Sequence, residues 1–294
     1  MTGDAAARTS PIRHLDGIRS LADRFDGFVV DLWGVVHDGE RPYPGAADAL
    51  TRLRAAEKRV VLLSNAPQRR ERVLLRLREM GIGDALHDGL VTSGEETRRL
   101  LAEWRDPFLT GLARRVLMLG PERDRPLVDG IGLQLVEKAS EAALLLNVGP
   151  DHEAAETDLE PYLPLLRASL EAGLPMLCAN PDLEIVRDGR RIACAGLLAR
   201  SYAEMGGAVR QVGKPFPEIY RPVKELLGLP DGRILAIGDA LATDIAGAAA
   251  AGIASCWALG GIHADALRGD PALAARAAMA AQLQPFATVP SLRW

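Results

Sequence analysis

Short apolar runs alternate with helical periodicity along the chain. Phe28-Val29-Val30 is a compact β-prone run that stops at Asp31, and Val60-Val61-Leu62-Leu63 stops at Ser64. Between them Ala46, Ala49, Leu50 and Leu53 recur at i, i+3, i+4 and i+7, which is one face of a helix. Val73, Leu77 and Met80 repeat the helical spacing ahead of Gly81, a residue suited to a C-terminal stop. This βαβα alternation predicts a parallel sheet with helices on both faces. Ser93-Gly94-Glu95-Glu96 reads as a capping box before Leu100, Leu101 and Trp104. Val116–Leu119, Ala143–Leu146, Met176–Cys178, Ile234–Ile237 and Ile253–Trp257 read as further buried strands. Leu163–Ala172 and Thr243–Ala251 read as helices, the second stopped by Gly252. Asp270 and Pro271 supply the N-cap and first helical position of a last helix in the Ala-rich stretch Ala264–Gln282.

Composition narrows the function classes. A chain of 294 residues allows one large domain or two ordinary ones. With Lys+Arg 35 against Asp+Glu 39, the formal charge of −4 argues against a protein that grips nucleic acid by its phosphates. A 48% hydrophobic and 25% charged composition is ordinary for a folded globular protein and argues against disorder. Cys178, Cys194 and Cys256 are too few and too scattered for a disulfide framework, which points to a reducing compartment. Met1–Ser10 lacks the basic start and apolar run of a signal peptide, and no apolar stretch reaches the roughly 18 residues of a membrane span. A soluble, cytoplasmic protein with neither membrane nor nucleic acid as partner is expected. The five histidines lack zinc-ligand spacing. Gly207 to Lys214 is no P-loop, since Pro215 stands where Ser or Thr would hold magnesium.

Asp31, Ser64 and Asp239 each follow a strand-like run, and Asp244 lies five residues beyond Asp239. In open α/β sheets, ligands bind outside the carboxyl ends of the strands, so these groups are expected to converge there, with Lys214 adding a cation. Carboxylates, a cation and a hydroxyl suit a divalent metal and a phosphoryl group. An Asp can also attack phosphorus and become an aspartyl-phosphate.

Four segments carry a resemblance: Asp31-Leu32-Trp33-Gly34-Val35, Leu63-Ser64-Asn65, Gly213-Lys214-Pro215 and Gly238-Asp239-Ala240-Leu241-Ala242-Thr243-Asp244. In this order they resemble the motifs of the haloacid dehalogenase (HAD) superfamily. Asp38-Gly39, Tyr43-Pro44-Gly45-Ala46 and Ser64-Asn65 are similar to its class IIA branch, whose members include 4-nitrophenyl-phosphatase-like, sugar-phosphate and phosphoglycolate phosphatases. The resemblance covers nearly the whole chain from about Phe25. It implies an α/β fold: a HAD-like Rossmannoid parallel core, residues 1–85 and 206–294, with an inserted α/β cap of the C2 type, residues 86–205. It also implies Mg²⁺ as cofactor, a small phosphorylated metabolite as substrate, and a homodimer as the possible assembly. Position by position, Asp31 would be nucleophile and metal ligand, while Ser64 and Lys214 would hold the phosphoryl group. Asp239, Asp244 and the Trp33 carbonyl would complete the metal site. Asn65, and Asn180 and Asp182 from the cap's Asn-x-Asp stretch, would contact substrate.

One position departs from the pattern. Phosphatases of this family carry a second Asp two residues after the nucleophile, to protonate the leaving oxygen and then activate water; here that residue is Trp33. An indole N–H donates a hydrogen bond but has no useful pKa. General acid–base catalysis contributes about 10²–10⁴-fold, so turnover is expected to be weakened unless another group serves. His37 and Asp38 are candidates, although His37-Asp38-Gly39 is also ordinary turn chemistry. The alternatives are a phospholigand-binding protein with little turnover, or different chemistry such as dehalogenation, against which the Asp239/Asp244 pair speaks. Bland readings stand beside these: Ser64-Asn65 as a helix N-cap, Asn180 and Asp182 as turn residues, and Arg69–Arg78 as the solvated face of a helix.

Overall fold

The computed structural model describes residues 12–151, 158–187 and 190–294. Fourteen strands are found among them. β1 (Arg13–His14), β2 (Gly27–Asp31), β3 (Arg59–Ser64), β4 (Gly89–Thr92), β12 (Ile234–Gly238), β13 (Ala254–Ala258) and β14 (Ala287–Val289) form one all-parallel sheet in the order β1-β14-β13-β12-β2-β3-β4. β5 (Arg115–Leu119), β6 (Gln134–Val136), β7 (Leu144–Asn147), β8 (Met176–Cys178) and β11 (Val209–Gln211) form a second parallel sheet, ordered β11-β8-β7-β5-β6. β9 (Glu184–Arg187) and β10 (Arg190–Ala193) pair antiparallel as a hairpin.

Period-two alternation explains the two-faced core of the larger sheet. Phe28, Val30 and Leu62 face one apolar cluster with Leu50, Leu53 and Leu77, while Val29, Val61 and Leu63 face another with Val223 and Leu227. The helix Ala46–Ala55 buries Ala46, Ala49, Leu50 and Leu53, the stripe its periodicity predicts. Truncating Leu50, fully buried there, would cost about 2–5 kcal/mol. All seven predicted strands are present. No helix among the described residues is long and apolar enough to cross a membrane.

Sheet membership crosses the expected domain limits by a few residues. β4 joins the larger sheet although it lies beyond residue 85, because its backbone pairs with β3 from Val61↔Gly89 to Ser64↔Thr92. β11 joins the smaller sheet although it lies beyond residue 205, through pairing with β8. The helix Ser93–Glu103 is capped one residue earlier than expected: Thr92 Oγ1 accepts the Glu95 N–H at 3.0 Å, and Ser93 is already helical. The stretch expected as one helix over Thr243–Ala251 opens with a π-helical turn, Leu241–Ile245, and continues as Ala246–Ala250. Ala264–Gln282 is broken at Arg268-Gly269, both with positive φ, into Ala264–Leu267 and Pro271–Ala280; Asp270 caps the second piece as predicted.

Strand order reverses at β2, which is flanked by β3 on one side and β12 on the other. The carboxyl ends of these three strands mark the switch point where an open α/β sheet opens a crevice.

Candidate active site

Asp31 is the last residue of β2, Ser64 the last of β3, and Asp239 directly follows β12. Asp244 returns to the same point because the wide turn Leu241–Ile245 aims it back at the strand end. Its Oδ2 accepts the Ala240 N–H at 3.0 Å. One ligand atom from each of Asp31, Asp239 and Asp244 lies within 4.8 Å of the others, and all three residues are buried. Lys214 sits between two of them: its Nζ donates to Asp31 Oδ1 at 2.6 Å and to Asp244 Oδ1 at 2.7 Å. Asp239 Oδ2 accepts the Ile262 N–H at 2.6 Å. Gly34 leaves room for this carboxylate, since a Cβ there would lie 2.0 Å from Asp239 Oδ2.

Desolvation governs the electrostatics. Burial, then the neighbouring Asp244 carboxylate, push the Asp31 carboxyl well above the usual range and Asp239 up to about 7. Burial alone would lower the Lys214 ammonium, but Asp244 and Asp31 hold it well above its ordinary value. Ionising all three carboxylates against one ammonium would leave two negative charges in a water-poor site. Isolated charges there are costly, and a divalent cation with a preference for carboxylate oxygens would neutralise the surplus. The donor set therefore fits such an ion.

The cluster forms the floor of a cleft of about 430 Å³. Its walls include Ser64 and Asn65 from the larger sheet, and Asn180, Asp182 and the β9–β10 hairpin from the smaller unit. Ser64 Oγ accepts the Ala66 N–H at 3.1 Å, a local turn that leaves its own proton to donate. The next helix begins at Arg70 with Arg69 as N-cap, so Ser64 caps no helix.

Asn65 is placed differently from its expected role. Its Oδ1 accepts the Lys214 N–H at 2.7 Å, and its Nδ2 donates to Lys214 O at 3.0 Å and Asp182 Oδ1 at 2.8 Å. Both amide protons are engaged, so the side chain staples the lysine loop and Asp182 and has no donor left for substrate. Gly213 makes this approach possible: a Cβ there would lie 2.5 Å from Asn65 Oδ1. Asn180 Oδ1 accepts the Asp182 N–H at 2.9 Å, the turn chemistry anticipated, while both residues still line the cleft.

Two replacement acids fall away. His37 is buried, with a ring driven down to about 4 by desolvation, and its Nδ1 accepts the Gly39 N–H. Asp38 Oδ1 caps the Glu40 and Arg41 N–H groups on the exposed side of that turn. Neither lines the cleft. The sequence reading also missed the hairpin, which adds Glu184, Arg187 and Arg191 to the walls. Its signal was legible: Asp188-Gly189, outside the described residues, is hairpin-turn chemistry between Glu184-Ile185-Val186-Arg187 and Arg190-Arg191-Ile192.

Comparison with known proteins bears directly on this site. A haloacid dehalogenase-like hydrolase family model matches residues 28–134, and a HAD-hydrolase-like model matches residues 211–292. Chronophin from Bos taurus is 31% identical over 247 residues, spanning 78% of this chain and 79% of chronophin. The chain belongs to the haloacid dehalogenase-like hydrolases. Its place is with their class IIA phosphatase branch. A HAD-like hydrolase from Brucella suis 1330 shares 36% identity and a TM-score of 0.81, covering 95% of this chain and 99% of that one. A glycerol phosphate phosphatase from Mycobacterium tuberculosis, solved in complex with magnesium, shares 26% identity with a TM-score of 0.64, over 87% of this chain and 74% of that chain. The two family matches contain Asp31 and Ser64 in one and Lys214, Asp239 and Asp244 in the other.

Proposed function

We propose that this HAD-family hydrolase is a Mg²⁺-dependent phosphatase that hydrolyses a small phosphorylated metabolite through an aspartyl-phosphate on Asp31. The observation that carries the reading is the buried triad of carboxylates tied together by Lys214 at the floor of the cleft. The magnesium-bound glycerol phosphate phosphatase among the relatives supports both the metal and the substrate class. Asp31, Asp239, Asp244 and the Trp33 carbonyl would hold the ion, which supplies positive charge to the phosphoryl oxygens when bound.

The chain's own residues do the rest. Lys214 fixes one oxygen of Asp31, leaving Oδ2 to attack phosphorus. The ester oxygen departs with the electron pair, and the phosphoryl group rests on Asp31 until water cleaves it. Ser64 Oγ–H and Lys214 hold the phosphoryl oxygens and offset the charge that develops on them. The hairpin and the Asn180–Asp182 turn roof the cleft and set which leaving group fits. The core is the catalytic unit, residues 86–205 supply most of the cap, and two copies forming a homodimer is the assembly we favour.

Trp33 alone favours a second reading, a phospholigand-binding protein with little turnover. A panel of phosphorylated metabolites and nitrophenyl phosphate, assayed for phosphate release with Mg²⁺ and with EDTA, separates the two. Catalytic, Mg²⁺-dependent release abolished by Asp31→Asn supports the phosphatase. Saturable binding without release supports the second reading.

A further inference from the structure

We propose that Asp182 protonates the leaving group in this chain, replacing the carboxyl absent at Trp33. The inference rests on the phosphatase reading above.

Trp33 delivers no proton. Its Nε1–H is engaged by Val186 O at 3.0 Å, the Arg187 guanidinium lies 5.5 Å over its ring, and the His37 ring meets it edge-on at 5.5 Å. The residue has become a clasp between β2's exit loop and strand β9. That clasp brings the cap segment just ahead of the hairpin, and so Asp182, down onto the cleft.

Four other carboxyl groups border the cleft outside the metal-ligating triad. Glu184 is ion-paired with Arg191, and Asp265 is exposed on its short helix. Asp124 is taken up by Gln68 at 3.2 Å and lies 3.7 Å from Arg72. Asp182 is different. Its Oδ1 is fixed by Asn65 Nδ2, and Asn65 in turn grips the backbone of Lys214, whose ammonium holds Asp31. Asp182 is thus tied through two residues to the nucleophile. No hydrogen bond to its Oδ2 is found among the described residues, so that oxygen is available to carry a proton toward the cleft. Desolvation, reinforced by Asp244 and opposed by Lys214 and Asn65, pushes the carboxyl up to about 6. A group poised near neutrality can give a proton and take one back.

In the first step Asp31 forms its O–P bond as the P–O bond to the leaving group breaks; the leaving oxygen takes the Asp182 proton. In the second, water adds to phosphorus and gives a proton to the Asp182 carboxylate, and the P–O bond to Asp31 breaks.

Asp182→Asn is nearly isosteric and keeps an acceptor for Asn65, which makes it the informative variant. With Mg²⁺, an alkyl phosphate and nitrophenyl phosphate are compared in rapid-quench assays, wild type against variant. Nitrophenolate leaves without help, so the variant should give a burst of nitrophenol approaching one per active site, then slow steady release. With the alkyl phosphate its first turnover should fall by about 10²–10⁴-fold. The burst also counts folded sites, so loss of structure is distinguished from loss of the proton. Equal losses on both esters without a burst, in a variant whose circular dichroism and urea midpoint match wild type, or no loss on either, would overturn the role of Asp182. A wild type that hydrolyses neither ester would instead bring down the phosphatase reading itself.

Discussion

Removing the ammonium of Lys214 tests the electrostatic logic of the site most sharply. In Lys214→Met the methionine fills much of the same volume, but two carboxylates lose contacts of 2.6 and 2.7 Å. Coulomb's law at an effective dielectric of 20 gives about 6 kcal/mol for each contact before solvation is counted. Desolvation of each ion offsets several kcal/mol of that. What remains on breaking a buried pair is about 3–5 kcal/mol of lost stability. Urea unfolding in EDTA at pH 8, by circular dichroism, reads the difference directly. Mg²⁺ should then raise the stability of the variant more than that of wild type, because the ion takes over the charge compensation that Lys214 supplied. A loss below about 1 kcal/mol, or a larger Mg²⁺ response in wild type, would refute the reasoning.

Other consequences are equally accessible. Trp33→Phe keeps a ring beneath Arg187 but removes the donor to Val186 O; it should cost about 1 kcal/mol and speed amide exchange across residues 184–193, whereas unchanged exchange there would contradict the clasp. Arg233 and Lys58 lower the Asp26 carboxyl to about 2. Its contribution is therefore complete above the unfolded value near 4 and lost as pH falls toward 2. Asp26 is 38% exposed, so Asp26→Asn should cost no more than about 1 kcal/mol at pH 7, with the gap closing by pH 2; a gap that persists there would be the contrary result. Cys178 and Cys256, buried and pushed up to about 12, and Cys194, also raised by burial, should resist iodoacetamide at pH 8 until urea unfolds the chain; rapid labelling of the native protein would contradict their burial.

The core was legible because its signals are local. Phe28-Val29-Val30-Asp31 and Val60–Ser64 combine a β-prone run with a polar residue at its carboxyl end, and parallel topology puts those ends together. Four short strands were not: Gly89–Thr92, Gln134–Val136, Val209–Gln211 and Ala287–Val289 have three or four residues each and lack an unbroken apolar run like that of Met176–Cys178, so tertiary pairing decides them. Asp31, Ser64, Lys214, Asp239 and Asp244 were singled out from type and position, and the structure brings them to one cleft. The saturation of Asn65 was not, because an amide gives no sign in sequence of how many partners it meets. Nor could position alone show that His37 is sealed by the Gly39 N–H while Asp182 opens onto the cleft.

The central claim is that Asp31 becomes phosphorylated in a site completed by a divalent cation. Acid quenching during turnover of nitrophenyl phosphate with Mg²⁺, followed by peptide mass spectrometry, tests it directly. One phosphoryl group on the peptide containing Asp31, absent with EDTA and absent in Asp31→Asn, is the predicted result. Sustained turnover with no such adduct, or turnover that survives Asp31→Asn, would contradict it.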